Sequence, residues 1–478
     1  MPADVFAFGP FELDTASRQL TRQGAVLQVS PRQFDLLHLL VARAGTLLSK
    51  DALIEAAWQG VAVTDNSVEQ AISSLRRLLA EAGDSAYIET QARRGYRFVA
   101  SVKRVERRAA EEDLEALLAP HRAFLEGRAA LETLERTQIV HAREVFARMV
   151  EQVPDQPAAH VGLANACVMQ FEMTRSDPAP DVASLALAAT HARDACRLNP
   201  QFGEAWATLG IVLDRMGNQA DSLAASRMAT SLEPDNWRHH LRLAYVSWGE
   251  ERLRAARRGL TLLPGFPLGH WLAATVHVAR EAFDDAEREL ATGRASIDAA
   301  PASSRFSSVA LDWLAGLLRL RVGDTRGAME AFDRELANEP RGQLYARECC
   351  ANVWYAIGAL RIREGRIDEA KQAFAEALSR VAGHPFATAS LGGLLGIPAS
   401  AAPPEATARV SKADLAMASA VNAVVRGDTA AAVHIIEDAL DYVPPGSGLW
   451  LLPIEPTLGV GTDPVWARAL ARLRHRAV

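Results

Sequence analysis

The chain has 478 residues, 49% of them hydrophobic and 23% charged, with a formal net charge of −6. That length exceeds what one core can serve, and at about 150 residues per unit it asks for around three units or one long repeat array. The acidic balance excludes a protein that coats nucleic acid by bulk positive charge.

The charge is unevenly spread. Residues 1–105 hold 12 Lys/Arg against 11 Asp/Glu, and the remainder holds 40 against 47. A small near-neutral head therefore precedes an acidic body, which a DNA-binding head would have to hold away from the phosphates. The four cysteines, Cys167, Cys196, Cys349 and Cys350, show no metal-ligand or redox spacing and read as small core residues. MPADVFAFGP offers neither the basic nor the apolar region of a signal peptide, and no apolar run approaches the roughly 18 residues of a membrane span. The expectation is a cytoplasmic protein with no membrane contact.

In chain order, Val5–Leu13, Arg18–Arg22 and Ala25–Val29 alternate apolar and polar residues and read as short strands, separated by Asp14-Thr15 and Gln23-Gly24. Ser30-Pro31-Arg32-Gln33 opens a helix with an N-cap, a first-turn proline and a glutamine placed to close a capping box. Its apolar face is Phe34, Leu37, Leu40 and Val41. Ser49 caps a second helix, Lys50–Gln59, and Gly60 stops it. After the loop Val61–Asp65 comes TDNSVEQAISSLRRLLAEA, residues Thr64–Ala82. Val68, Ala71, Ile72, Leu75, Leu78 and Leu79 recur at the spacing of one buried stripe. Asn66, Gln70, Ser73, Ser74 and Arg77 fall on the opposite side. Amides and arginines read base edges in a major groove, and small serines permit a close approach.

YIETQARRGYRFVA, residues Tyr87–Ala100, reads as a hairpin with Arg93-Arg94-Gly95 at its tip. Cations at such a tip can enter a minor groove or hold phosphates. Asn66, Gln70, Ser74 and Arg77 are expected to face bases, Ser73 to lie in the same row, Arg76 and Arg97 to hold phosphates, and Arg93 and Arg94 to work at the wing.

The succession of strands, VSPRQFDLLHLL, LLSKDALIEAAW, DNSVEQAISSLRRLL and YIETQARRGYRF resembles the OmpR/PhoB-type winged-helix effector domain across residues 5–100. The resemblance implies an N-terminal four-stranded sheet, a three-helix core with Ser67–Ala82 as recognition helix, and a hairpin wing. It further implies repeated half-sites on double-stranded DNA, often head to tail, and an RNA polymerase contact at the Val61–Asp65 loop. No receiver domain precedes the head in this sequence, so phosphotransfer control is not expected. Ser73 and Ser74 stand where many members carry arginine, which leaves the half-site sequence open.

Lys103–Glu112 is a charged stretch running into a helix, and from Leu114 the chain is alanine-rich and self-similar. In VWYAIGALRIREGRIDEAKQAFAEAL, Trp354, Ile357 and Gly358 face Ala370, Phe374 and Ala377, the pattern of a tetratricopeptide hairpin of about 34 residues. The same marks return at Trp206, Leu209, Gly210, Ala229 and Pro234, at Gly316, Ala328, Phe332 and Pro340, and at Ala420, Ala432, Ala439 and Pro444. Weaker copies carry Ala142, Phe146 and Pro154, then Ala188, Ala195 and Pro200, and degenerate ones fill 237–264 and 267–300. About eight repeats are expected, interrupted at Glu172–Val182 and by a linker at Pro385–Glu405. A short helix at Pro464–Arg476 is expected to cap an open stack whose concave side is free for a partner. Trp237, Trp248, Trp271, Trp313 and Trp354 read chiefly as core. His239-His240 reads as a lone pair on a helix without a cysteine or acidic ligand at metal-site spacing, so no metal is expected there.

The expected fold is thus an α+β winged-helix domain (1–105), a linker (106–113) and an all-α tetratricopeptide superhelix (114–478). The whole layout is similar to HilA-like and CadC-like regulators, without the membrane span of the latter. No catalytic constellation or cofactor site stands out, so an enzyme is not expected. The expected function is a DNA-binding transcriptional regulator whose repeats take a protein partner or a small effector, or form a homo-oligomer. The alternative is an interaction scaffold whose winged helix docks protein without binding DNA.

Overall fold

The computed structural model describes residues 4–58, 65–80, 86–92, 94–105, 108–299, 310–341, 344–399, 411–461 and 463–478. Two compact units divide the chain, Met1–Ala119 and Pro120–Val478.

In the first unit, Phe6 and Phe8 of β1 (Val5–Phe8), Phe11 and Leu13 of β2 (Phe11–Asp14) and Leu20 of β3 (Gln19–Arg22) are buried at alternate positions. That is the period of a sheet with one covered face. The stretch expected as one strand, Val5–Leu13, breaks at Gly9, whose φ of 53° turns the chain so that Phe8 pairs with Phe11. Strand β4 (Ala25–Leu27) completes a meander. The sheet has a fifth member rather than the four expected: Lys103–Val105, later β8, pairs antiparallel with β1, giving the order β4-β3-β2-β1-β8. The charged stretch at Lys103 therefore begins as a strand, and helix already starts at Arg108, inside the segment expected as linker.

Helix α1 (Pro31–Ala42) starts as the sequence suggests. Ser30 Oγ accepts from the Gln33 N–H at 3.4 Å, and Gln33 Oε1 accepts from the Ser30 N–H at 2.9 Å. Strand β5 (Leu47–Leu48), helix α2 (Lys50–Trp58), helix α3 (Asp65–Ala80), and strands β6 (Ile88–Gln91) and β7 (Gly95–Phe98) follow. Phe34, Leu37, Leu40, Val68, Ile72, Leu75 and Leu79 share one core with the rings of Phe8, Phe11, Tyr87 and Phe98. Phe8 meets Phe98 edge-on at 5.1 Å, and Phe11 meets Tyr87 edge-on at 5.6 Å, arrangements that suit the ring quadrupoles. This core fixes α3 against the sheets.

Next along the chain come helices α4 (Arg108–Glu132), α5 (Arg136–Gln152), α6 (Pro157–Thr174), α7 (Val182–Leu198), α8 (Gly203–Arg215), α9 (Gln219–Leu232), α10 (Trp237–Val246) and α11 (Gly249–Leu262). The series continues with α12 (Pro267–Ala279), α13 (Phe283–Ala299), α14 (Leu311–Arg321), α15 (Thr325–Leu336), α16 (Ala346–Arg363), α17 (Ile367–Arg380), α18 (Pro385–Leu394), α19 (Lys412–Val425), α20 (Thr429–Tyr442) and α21 (Ala467–Arg476). From α6 to α17 consecutive helices pair as antiparallel hairpins, as do α19 and α20. Small residues set the spacing. A Cβ on Gly316 would overlap the Phe332 ring, and one on Gly358 the Phe374 ring, so each glycine is the seat of its partner's aromatic side chain. All four cysteines are buried, as core residues; burial pushes the Cys196 thiol up to about 11 and Cys350 up to about 12.

The repeat region departs from expectation in particular places. The segment expected as a linker, Pro385–Glu405, holds helix α18 over Pro385–Leu394, with Pro385 in the first turn and His384 accepting the Ala387 N–H; residues 400–410 lie outside the described ones. The interruption expected from Glu172 begins later, because α6 runs to Thr174 and buries Glu172 against Arg215. Among the tryptophans, Trp313 is buried, while Trp237, Trp248, Trp271 and Trp354 are half-buried. The tail does more than cap an open stack. Trp450, Leu451 and Ile454 cover residues of α12, α14 and α16, including Trp271, Leu314 and Ile357. Farther on, Arg280 of the α12/α13 turn donates to the Ala477 carbonyl at 2.8 Å, and Arg474 pairs with Glu281 at 2.5 Å. Residues of the C-terminal segment thus pack on faces of α12, α14 and α16.

Candidate nucleic-acid interface

Helix α3 is two-sided because its sequence is. Val68, Ile72, Leu75 and Leu79 are buried, and Gln70, Ser73, Ser74 and Arg77 are exposed. The outer row therefore presents an amide, two small hydroxyls and a guanidinium, groups able to donate and accept at base edges. Asn66 lies in the first turn of α3, but its side chain is outside the described residues, as are residues 61–64 of the loop. Lys50 of α2 pairs with Glu69 at 2.7 Å, tying the N-terminal half of α3 to the preceding helix.

The hairpin β6–β7 is in register Ile88↔Phe98, Glu89↔Arg97, Thr90↔Tyr96 and Gln91↔Gly95, and β5 adds a third strand through Leu48↔Tyr96. Its turn closes with the Arg94 N–H donating to the Gln91 carbonyl at 2.9 Å. Gly95 has φ 134°, and a Cβ there would overlap the Leu48 carbonyl, so only glycine lets β7 come this close to β5. The Arg94 side chain is exposed; Arg93 lies outside the described residues.

Arg76 and Arg97 differ from the free cations that the sequence suggests. Arg76 donates through Nε and Nη2 to the Ile88 carbonyl at 3.1 and 2.8 Å, and through Nη2 to Thr90 Oγ1 at 2.6 Å. It also lies over the Tyr96 ring, 5.9 Å from the centroid. A guanidinium so committed latches the hairpin to α3 through Nε and Nη2. Arg97 is paired across the hairpin with Glu89 at 2.6 Å, both side chains remaining partly exposed. A pair of that kind contributes on the order of 0–1 kcal/mol, so a phosphate can compete for Arg97. The latch partners, the Ile88 carbonyl and Thr90, carried no sequence signal, since both belong to a segment that reads only as a strand.

His239 and His240 also find partners. His239 Nε2 lies 2.9 Å from Glu233 Oε2, an acidic neighbour the local spacing does not reveal, and His240 Nε2 lies 2.8 Å from the Pro234 carbonyl.

A helix with a polar outer row, latched to an arginine-tipped hairpin, defines a winged-helix unit. Residues 24–98 match the family described as transcriptional regulatory protein, C terminal, and residues 351–380 match the tetratricopeptide repeat. The chain carries an OmpR/PhoB-type domain at its N-terminal end and tetratricopeptide repeats behind it. Over 104 residues it is 34% identical to the transcriptional activator CadC of Escherichia coli (strain K12), a match covering 21% of this chain and 20% of that protein. Over 93 residues it is 33% identical to the transcriptional regulator HilA of Salmonella typhimurium, covering 20% and 17% respectively. The chain thus spans about a fifth of the length of these curated relatives. The solved DNA-binding domain of E. coli CadC aligns at 32% identity over 22% of this chain and all of that one, with a TM-score of 0.21. No helix among the described residues is long and apolar enough to cross a membrane.

Proposed function

We propose that the protein is a sequence-specific, double-stranded-DNA-binding transcriptional regulator. The observation that carries this reading is the exposed row Gln70, Ser73, Ser74 and Arg77 on a helix whose other face is sealed into the core. Beside it, Arg94 sits exposed at a hairpin that Arg76 ties to the same helix. The likeness of residues 24–98 to a transcriptional regulatory family, and of the head to an activator and a regulator, supports the same reading. Asn66, Gln70, Ser73, Ser74 and Arg77 are the base-facing set, and Arg93, Arg94 and Arg97 the phosphate-facing set. The Val61–Asp65 loop is the place for an RNA polymerase contact, an assignment that rests on the family resemblance alone.

The repeats serve signal input, partner binding or self-assembly. Any partner of α12, α14 or α16 has to use faces that Trp450, Leu451 and Ile454 leave uncovered.

Selection of bound duplexes from a random pool by the full-length protein tests the proposal. Enrichment of one half-site, lost or altered in Arg77→Ala, supports it. A full-length, folded protein that enriches no sequence and retains no duplex at low salt overturns it in favour of a protein-docking head.

A further inference from the structure

Among the described residues of the repeat unit, His160 of α6 and His191 and Asp194 of α7 bring one ligand atom each within 4.8 Å of one another. Sequence spacing does not reveal the group, because 31 positions separate the two histidines. On α7, His191 and Asp194 stand at i and i+3 and so share one face.

The orientation of His160 is fixed. Its Nε2 lies 2.7 Å from the Pro154 carbonyl, which can only accept, so the proton sits on Nε2 and the Nδ1 lone pair points elsewhere. It points at His191, whose Nδ1 is 3.0 Å away. An imidazole whose far nitrogen donates to a backbone carbonyl while the near one is left as a lone pair has the arrangement of a metal-bound histidine. His160 is buried, and His191 and Asp194 are half-buried, so the cluster is desolvated on one side and open on the other.

We propose that His160 Nδ1, His191 Nδ1 and the Asp194 carboxylate form a site for a divalent cation of the Zn2+ class, with water completing the shell. Two imidazoles and one carboxylate suit a borderline cation better than Ca2+ or Mg2+, which favour all-oxygen sets. With Zn–N bonds of about 2.0–2.1 Å, tetrahedral geometry sets the two nitrogens roughly 3.3 Å apart, so the rings need to separate only by a few tenths of an ångström. In the metal-free protein His191 Nδ1–H donates to His160 Nδ1. The cation replaces that proton, which moves to His191 Nε2, so neither ring changes its total of protons. The bound ion cross-links α6 to α7, the two arms of one hairpin.

The test uses the full-length protein, stripped with chelator and free of any affinity tag. Titration with Zn2+ alone by calorimetry should show saturable uptake of one equivalent, and Co2+ should give visible absorption bands from a nitrogen/oxygen-ligated ion. His191→Gln and Asp194→Asn should each weaken uptake at least about tenfold and abolish the Co2+ bands. His141→Gln and His434→Gln, at surface histidines that also neighbour a carboxylate, should leave both unchanged. Asp194→Asn decides the matter if His191→Gln does not fold, since Asp194 is half-buried and its ion pair among the described residues is with Arg197, at 3.3 Å. No saturable equivalent, or an equivalent that survives Asp194→Asn unchanged, overturns the site.

Discussion

The Arg76 guanidinium donates to Thr90 Oγ1 at 2.6 Å and, through two nitrogens, to the Ile88 carbonyl, so one side chain of α3 holds the first strand of the wing. Arginine is needed because its planar fork can serve a carbonyl and a hydroxyl together; a lysine ammonium is a point donor on a loose stem. Arg76→Ala should cost about 1–2 kcal/mol of stability, as expected for half-buried hydrogen bonds from a charged donor. Arg76→Lys should recover only part of this. Since Arg76 is committed inside the domain, its loss should weaken DNA binding by loosening the wing while leaving the slope of log affinity against log salt nearly unchanged. Chemical denaturation and binding isotherms over a salt series check both halves.

Arg77 and Arg94 should behave in opposite ways. If Arg77 reads a base, Arg77→Ala should cost roughly 1–3 kcal/mol at the preferred half-site and relax the preference at one position. Arg94→Ala should weaken all sequences alike and flatten the salt slope by about one unit, the signature of one released phosphate contact. Arg97→Ala should flatten it by a similar amount and, by leaving Glu89 unpaired, cost slightly more at low salt. Competition against random duplex separates the three.

The head was legible because local signals there agree with tertiary demands. The capping box Ser30–Gln33 and the stripe Val68–Leu79 reappear as read, and alternation holds within β1, β2 and β3 although Gly9 divides the first stretch in two. The sequence missed what depends on distant partners. Lys103–Val105 becomes a strand only because β1 offers an open edge, and a three-residue charged run shows nothing of that. Arg76 read as a free cation because its acceptors lie 12 and 14 residues on, in a segment whose backbone direction the residue types do not specify. In the repeats, Gly358 and Phe374 declared their pairing through size alone. The return of Trp450–Ile454 over α12, α14 and α16 joins elements far apart in the chain, and no periodicity encodes that path.

The pairing of Gly358 with Phe374 makes a prediction whose sign is diagnostic. In the middle of an ordinary exposed helix, Gly→Ala gains about 1 kcal/mol of helix propensity. Here the added methyl would overlap the Phe374 ring, and overpacking of this kind costs about 1–3 kcal/mol. Gly358→Ala should therefore destabilise the protein, or at best leave it unchanged. Combining it with Phe374→Leu should be less harmful than the sum of the single changes, because the shorter side chain makes room for the methyl. A double-mutant cycle by thermal or chemical unfolding checks this, and simple additivity would show that the two do not share the space.

Glu455 gives the repeat unit a pH dependence of its own. It is buried, accepts the Thr457 and Leu458 N–H groups at 2.9 and 2.8 Å, and meets the Tyr355 hydroxyl. Burial outweighs these bonds and pushes its carboxyl from 4.5 up to about 7. An acid with a raised folded pKa binds its proton more tightly in the folded state, so this group's contribution falls as pH rises from about 4.5 to 7. At about 1.4 kcal/mol per unit, the loss is on the order of 3 kcal/mol. His384 acts in the opposite sense: burial lowers it from 6.5 to about 4, so stability rises with pH across that window. The two partly cancel in the parent, and a single melting profile hides both. Glu455→Gln mimics the protonated acid, its oxygen accepting the backbone N–H groups and its amide donating to the Tyr355 oxygen. Relative to the parent, this variant should gain stability steadily between pH 4.5 and 7 and level off above. Unfolding free energies of both proteins at pH 5, 6, 7 and 8 check the prediction, and a difference that stays flat across the series would place the Glu455 titration elsewhere.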